Sequence, residues 1–302
     1  MGGKELIVIV GPTGSGKSSL SMALAAHYGC PIVSTDSRQF YRHIPIGTAQ
    51  PTQEDLAEAE HHFIACRELA DDYNAGQYEK DVLARLEELF LKHDRVVAVG
   101  GSGLYIKALC EGLDALPDVS DEVRDSVRKI YADSGLEPLL EELKSADPEF
   151  YEQVDRCNHA RVMRAVEMCR TSADGKYSTL RAGSVAKRPF NIVKVGLDLP
   201  REELYERINL RVEQMLLEGL ESEARAVYPL RELNSLQTVG YREMFDFFDG
   251  TLSLEEAVEL VKRNSRRYAK RQMTWFRRDD DIEWFTQFDP EKVIGYIDSL
   301  RR

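Results

Sequence analysis

Eight consecutive residues, Gly11-Pro12-Thr13-Gly14-Ser15-Gly16-Lys17-Ser18, have the make-up of an anion grip. They fit the P-loop pattern G-x-x-x-x-G-K-[ST] of nucleotide-binding proteins. In that pattern glycines let the backbone curl around a phosphate, the lysine adds a full positive charge, and the final hydroxyl is placed to hold Mg²⁺. A helix that starts here would add the partial positive charge of its N-terminus. Asp36, the next acid along the chain, is either a catalytic carboxylate or a turn cap. A third polar cluster is Gly100-Gly101-Ser102-Gly103. ATPases and GTPases usually carry a Mg²⁺-holding acid at such a place, and this chain has none there. Residues 262–278 form a fourth cluster, with Lys262, Arg263, Arg266, Arg267, Lys270, Arg271, Arg277 and Arg278 interleaved with Tyr268, Trp275 and Phe276 and without a single acid. Clustered cations with aromatics suit RNA phosphates and splayed bases, although a solvated basic helix has the same composition; Trp275 and Phe276 are expected to be mostly core.

These clusters need a scaffold, and the apolar patterning supplies one. Three short apolar runs, 5–10, 31–35 and 95–99, read as buried strands, each ending at one of the first three clusters. Helical periodicity follows from Ser19 to Tyr28 and from Tyr78 to Lys92, and resumes at Leu104. Strands alternating with helices imply an α/β fold with a parallel P-loop sheet, and such sheets bind ligands at the carboxyl ends of their strands. Strand signals vanish between Pro117 and Gly183, where the helical stretches 122–132, 139–144 and 159–169 predict a helical insertion domain over 117–183. The core, 1–116 and 184–302, resumes with a strand over 190–197 and three or four C-terminal helices, the longest over 253–276.

The net charge of −12 argues against a chain coated with nucleic acid and makes the acid-free block 262–278 stand out. No apolar run approaches the ~18 residues of a membrane span. The N-terminus lacks the features of a secretory signal, so a cytoplasmic location is expected. The five cysteines are scattered, without the spacing of a zinc site.

Several segments together resemble the bacterial tRNA dimethylallyltransferase (isopentenyl-tRNA transferase) family. They are Asp36-Ser37-Arg38-Gln39-Phe40-Tyr41, Ile46-Gly47-Thr48-Ala49-Gln50-Pro51, Val99-Gly100-Gly101-Ser102-Gly103-Leu104-Tyr105, the stretch 155–167, Thr238-Val239-Gly240-Tyr241-Arg242-Glu243 and Lys270-Arg271-Gln272-Met273-Thr274-Trp275-Phe276. The family usually has Thr where this chain has Ser102, which keeps the hydroxyl. The loop 171–183 also departs from the family's commonest form, and the chain lacks the C-terminal zinc finger that eukaryotic members often carry.

The resemblance implies attack by N6 of adenine 37 of tRNA on C1 of dimethylallyl diphosphate, with pyrophosphate leaving, in tRNAs that read codons beginning with U. It implies that Asp36 is the general base and that Gly11, Pro12, Thr13, Gly14, Ser15, Gly16, Lys17 and Ser18 grip the diphosphate with Mg²⁺ on Ser18. Arg211 would contact the diphosphate, and Thr13 and Ser102 would offer hydroxyls to the diphosphate or the adenine. On the RNA side it implies Asp36, Ser37, Arg38, Gln39, Ser102, Arg263, Arg266, Arg267, Lys270 and Arg271. Arg161, Arg164 and Arg124 of the insertion would grip the anticodon stem-loop. No protein partner is implied, and a monomer is expected. A relative that prenylates AMP or ATP, a small-molecule kinase and a non-catalytic RNA-binding ATPase are the alternatives. The insertion and the basic helix speak against the first, and the setting of Asp36 against the second.

Overall fold

The computed structural model describes residues 3–181, 183 and 186–301. Six strands, β1 (Glu5–Val10), β2 (Ile32–Ser34), β3 (His61–His62), β4 (Arg95–Val99), β5 (Asn191–Leu197) and β6 (Ile282–Phe285), form one sheet ordered β3-β2-β4-β1-β5-β6. Every adjacent pair is parallel. β1 is central, with Ile7 level with Val97 on one side and Val193 on the other. Side chains alternate across a strand. Leu6, Val8 and Val10 therefore pack on one face with Tyr78, Val82, Leu86, Ile106 and Leu109 from helices Ala75–Phe90 and Gly103–Glu111. Ile7 and Ile9 pack on the other with Leu20 and Leu24 of helix Lys17–Tyr28 and Val293 and Ile297 of helix Pro290–Ser299. Burying both faces explains why β1 reads as an unbroken apolar run; each such side chain contributes about 1.5–3 kcal/mol.

The predicted inner strands are present within a residue or so of their expected ends. The edge strands β3 and β6 were not expected from the sequence. β3 is two histidines, and β6 is four residues following Asp279-Asp280-Asp281. Neither is long or apolar enough to announce itself, and each forms because a partner already presents a free edge. After Pro200 there are five α-helices among the described residues, Arg201–Glu218, Leu220–Val227, Tyr241–Phe248, Leu254–Phe276 and Pro290–Ser299, one more than the upper expectation. The 23-residue helix Leu254–Phe276 starts at a capping box between Ser253 and Glu256, and buries Phe276 in the sheet's core. Its earlier residues Ala257 and Val261 pack with Val212, Leu236, Tyr241 and Phe245.

The chain divides into two compact units, Met1–Cys110 with Lys187–Arg302, and Glu111–Ala186. The second contains the predicted insertion and extends a few residues past both expected ends. It is built of helices Asp121–Ser134, Glu137–Ala146, Pro148–Gln153 and His159–Thr171 around Val127, Leu139, Leu143, Phe150, Val162 and Val166. Pro148–Gln153 was not expected; Asp147 caps it by accepting the Phe150 N–H at 3.0 Å. Asp147 is 1% exposed and also accepts the Ser178 N–H at 2.7 Å. Burial alone would favour the neutral acid, but the N–H donors of Ser178 and Phe150 outweigh it and hold the carboxyl below its usual range. No helix among the described residues is long and apolar enough to cross a membrane.

Candidate active site

The three polar clusters at the ends of β1, β2 and β4 converge. They border a cavity of about 640 Å³ within the first unit, which Arg211, Thr238, Val239, Arg242, Arg267, Tyr268 and Arg271 close from the helical side.

The anion loop has the expected geometry, with one substitution of partners. Gly16, at φ 92°, caps helix Lys17–Tyr28 in a backbone conformation that side chains resist. Helix geometry leaves the first-turn N–H groups without intrahelical acceptors. Lys17 Nζ donates to the Pro12 carbonyl at 2.6 Å, which folds the lysine back over the loop. The Thr13 N–H, by contrast, is given to Gln272 Oε1 at 2.9 Å. Ser15 is fully buried, whereas Ser18 is exposed to the cavity.

Charge is balanced tightly here. Burial first, and the positive charge of Arg211 second, lower the Lys17 pKa to about 7 against the upward pull of Asp36. Burial likewise lowers the pKa of Arg211, against the attraction of Asp36 and Glu218. Two cations withdrawn from water, with Asp36 the one carboxylate that acts on both, form a site short of negative charge. A dianion would relieve it.

Asp36 sits in a turn built to present it. One carboxylate oxygen accepts the Arg38 N–H at 3.0 Å, and the Asp36 N–H donates to Ser34 Oγ at 3.2 Å. Both are turn-capping bonds, so the cap and the cavity-facing carboxylate are one residue. Ser102 Oγ accepts the Ser37 N–H at 2.9 Å and lies 3.1 Å from Ser37 Oγ, so its hydroxyl holds this turn. Burial and then the nearby Asp36 raise the Tyr268 phenol's pKa to about 12, against the opposing influence of Ser102. Gly100 must be glycine for a steric reason: an added Cβ would lie 2.3 Å from Thr35 Oγ1 and 2.9 Å from the Asp36 nitrogen.

Gln39 is committed to its own loop, accepting from Ser34 Oγ at 2.9 Å and donating to the Ala49 carbonyl at 2.7 Å. Arg38 donates to the Asn234 carbonyl at 2.8 Å. Arg207, on the helix that carries Arg211, pairs with Glu203 at 2.8 Å, the local ion pair its spacing suggests.

The basic block 262–278 divides by direction. Lys262 is paired with Glu213 and Glu259, Arg266 donates to Asn209 at 2.6 Å, and Arg277 pairs with Asp198. Glu213 and Asp198 come from neighbouring elements, and Glu259 from the preceding turn of the same helix. Arg267 and Arg271, one helical turn apart, face the cavity, and Arg263 and Lys270 are exposed. Phe276 is core as expected, but Trp275, also expected in the core, is 36% exposed. The indole edge occupies the space over Gly103, where a Cβ would lie 2.3 Å from Trp275 Cδ1, and this tight seat leaves the rest of the ring outside.

In the second unit Arg161 is exposed and Arg164 is 3.3 Å from Glu167 on the same helix. Arg124 lies 3.6 Å from Asp121.

Three structural roles escaped the sequence. Glu223 accepts the N–H groups of Ile46 and Gly47, both at 2.8 Å, and the Tyr241 hydroxyl at 2.5 Å. Buried Glu243 ties the Gly240 N–H to Asn264. Gln272 joins two strand-end loops. Tyr241, Glu243 and Gln272 all stand in recognisable segments, but partners more than 15 residues away leave no trace in local spacing.

The IPP transferase family model matches residues 39–279. The chain belongs to this family. It is 49% identical to "tRNA dimethylallyltransferase 2" of Parabacteroides distasonis over 97% of this chain and 98% of that one. It is 50% identical to "tRNA dimethylallyltransferase 1" of Porphyromonas gingivalis over 98% and 97%. Among solved structures, the full-length tRNA isopentenylpyrophosphate transferase of Bacillus halodurans superposes with a TM-score of 0.71 at 35% identity, covering 98% of this chain and 95% of that one. A eukaryotic dimethylallyltransferase acting on tRNA gives a TM-score of 0.81 at 22% identity, covering 99% and 80%, and so shares the fold.

Proposed function

We propose that this IPP transferase family member transfers the dimethylallyl group of dimethylallyl diphosphate to N6 of adenine 37 in tRNAs reading codons that begin with U. The observation that carries the reading is the meeting of Lys17, Arg211 and Asp36 in one cavity beside the apolar side chains of Ile208, Val212, Met215 and Leu220. An anion grip next to an apolar wall suits a diphosphate with a short hydrocarbon chain better than it suits a nucleoside triphosphate. Relatives named tRNA dimethylallyltransferase, matched along nearly the whole chain, support the same activity.

In this reading N6 attacks C1 of the dimethylallyl group. The C1–O bond breaks and its electron pair leaves with the diphosphate. Lys17 and Arg211, with the helix N-terminus behind the loop, stabilise the charge that develops there. The N6 lone pair is delocalised into the ring, so its proton must leave as the bond forms, and the Asp36 carboxylate receives it. Ser18, exposed to the cavity beside Lys17, would be the protein's ligand for Mg²⁺, an ion that fits a site with few protein ligands and takes the rest from phosphate and water. Such an ion would add neutralising charge at the leaving group. Arg267, Arg271, Arg263 and Lys270 meet the RNA backbone, and exposed Trp275 is available to an unstacked base. A monomer acting in the cytoplasm is part of the same proposal.

The test is transfer of radiolabelled dimethylallyl diphosphate to an anticodon stem-loop lacking the modification, with AMP as a competing acceptor and Asp36→Ala alongside. Label in the stem-loop, reduced about 10²- to 10⁴-fold by Asp36→Ala, is expected. Label in AMP alone would replace the RNA acceptor with a free nucleotide.

A further inference from the structure

Gln272 lies on the basic helix Leu254–Phe276 next to Arg271, yet it is 5% exposed. Its amide makes one bond at each end: Oε1 accepts the Thr13 N–H at 2.9 Å, and Nε2 donates to the Gly101 carbonyl at 2.9 Å. The first partner belongs to the anion loop after β1 and the second to the turn after β4. Gly101 is moulded to it, since a Cβ there would lie 2.1 Å from Gln272 Nε2. The neighbouring Gly100 is pressed against Thr35 and the Asp36 nitrogen. A continuous path of contacts therefore runs from the diphosphate grip through Gln272 and the Gly100-Gly101 turn to the carboxylate. Tyr268, one helical turn earlier on the same face, reaches the same turn through Ser102, which holds Ser37.

We propose that Gln272 is a positioning residue for the transfer reaction, holding the diphosphate loop at a fixed spacing from Asp36. Three features point to positioning. A single amide has both its donor and its acceptor engaged by main-chain groups of two different loops. Its bond to Thr13 withdraws that N–H from phosphate binding, so Gln272 costs the grip one donor while fixing where the grip sits. Its two bonds go to main-chain groups of Thr13 and Gly101, and neither goes to Lys17, Ser18 or Arg211. Its loss should therefore misplace the leaving group relative to the base without emptying the anion site. A displacement near 1 Å at reacting atoms costs about 100-fold in rate.

The inference rests on the prenyl-transfer reading above, and the experiment separates the two. Gln272→Met keeps the volume and removes both bonds; Gln272→Glu keeps the acceptor for Thr13 and turns a carboxylate toward the Gly101 carbonyl. Each is compared with wild type by thermal melt, by calorimetric binding of dimethylallyl diphosphate, and by single-turnover transfer to the stem-loop. The expected result is a cooperative melt, diphosphate affinity within about threefold of wild type, and single-turnover transfer slowed about 10- to 100-fold. Affinity and rate falling by the same factor, or a folded variant transferring within threefold of wild type, would overturn the proposal. So would loss of the melt in both variants, which would make Gln272 a residue of the fold alone. Wild-type protein that binds the diphosphate and labels no RNA would instead refute the reaction, and the inference would fall with it.

Discussion

With a pKa of about 7, Lys17 is about half neutral near pH 7, and this should be visible as a proton taken up on binding. The depression has two causes acting together: burial, which penalises the charged ammonium, and the neighbouring Arg211; Asp36 opposes both. A bound diphosphate places negative charge against Nζ, and an opposite charge at that distance favours the protonated form. The sign follows directly. Above pH 7 the free enzyme must gain a proton to bind, so affinity falls as pH rises; below pH 7 the lysine is already charged and the dependence disappears. About 9% of sites would carry the charge at pH 8 against about 91% at pH 6, so the contribution of Lys17 to affinity should drop about tenfold across that interval, offset about twofold by ionisation of the phosphate ester near pH 6. At pH 8 the phosphate ester is itself fully ionised and contributes little. Titration calorimetry at pH 8 in two buffers of different ionisation enthalpy reads the uptake, expected at about 0.9 proton per site. Arg211→Gln removes the repulsion and should reduce the uptake at pH 8, whereas Asp36→Asn removes the attraction and should extend it to lower pH. Uptake below about 0.2 proton at pH 8 in the wild type would refute the charge balance derived for the cavity.

Replacing Glu223 with alanine leaves the N–H groups of Ile46 and Gly47 and the Tyr241 hydroxyl without their acceptor. A loss of about 2 kcal/mol in urea unfolding is expected, and a change under about 0.5 kcal/mol would mean that water replaces the carboxylate. Arg267→Ala should reduce the slope of log affinity for the stem-loop against log salt by about one, a change absent if Arg267 meets no phosphate.

The sequence by itself determined the parts whose chemistry is local. The anion loop needs only glycines, a lysine and a hydroxyl in eight consecutive residues between a strand and a helix, and that arrangement dictates its own geometry. The inner strands were legible because burial on both faces leaves an unbroken apolar run, and Asp36 because it stands where such a strand ends. Tertiary structure decided what depends on partners far apart in the chain. β3 and β6 exist because β2 and β5 offer edges to pair with, not because two histidines or Ile-Glu-Trp-Phe favour extension. The charges of 262–278 look alike in sequence, yet Lys262, Arg266 and Arg277 are spent on Glu213, Asn209 and Asp198, while Arg267 and Arg271 face the cavity. Trp275 is excluded from the core by a seat that only Gly103 can leave open. Gln272 has no local signal because its two hydrogen bonds span 259 and 171 residues, and a hydrogen bond of that kind exists only once the fold has brought its ends within 3 Å.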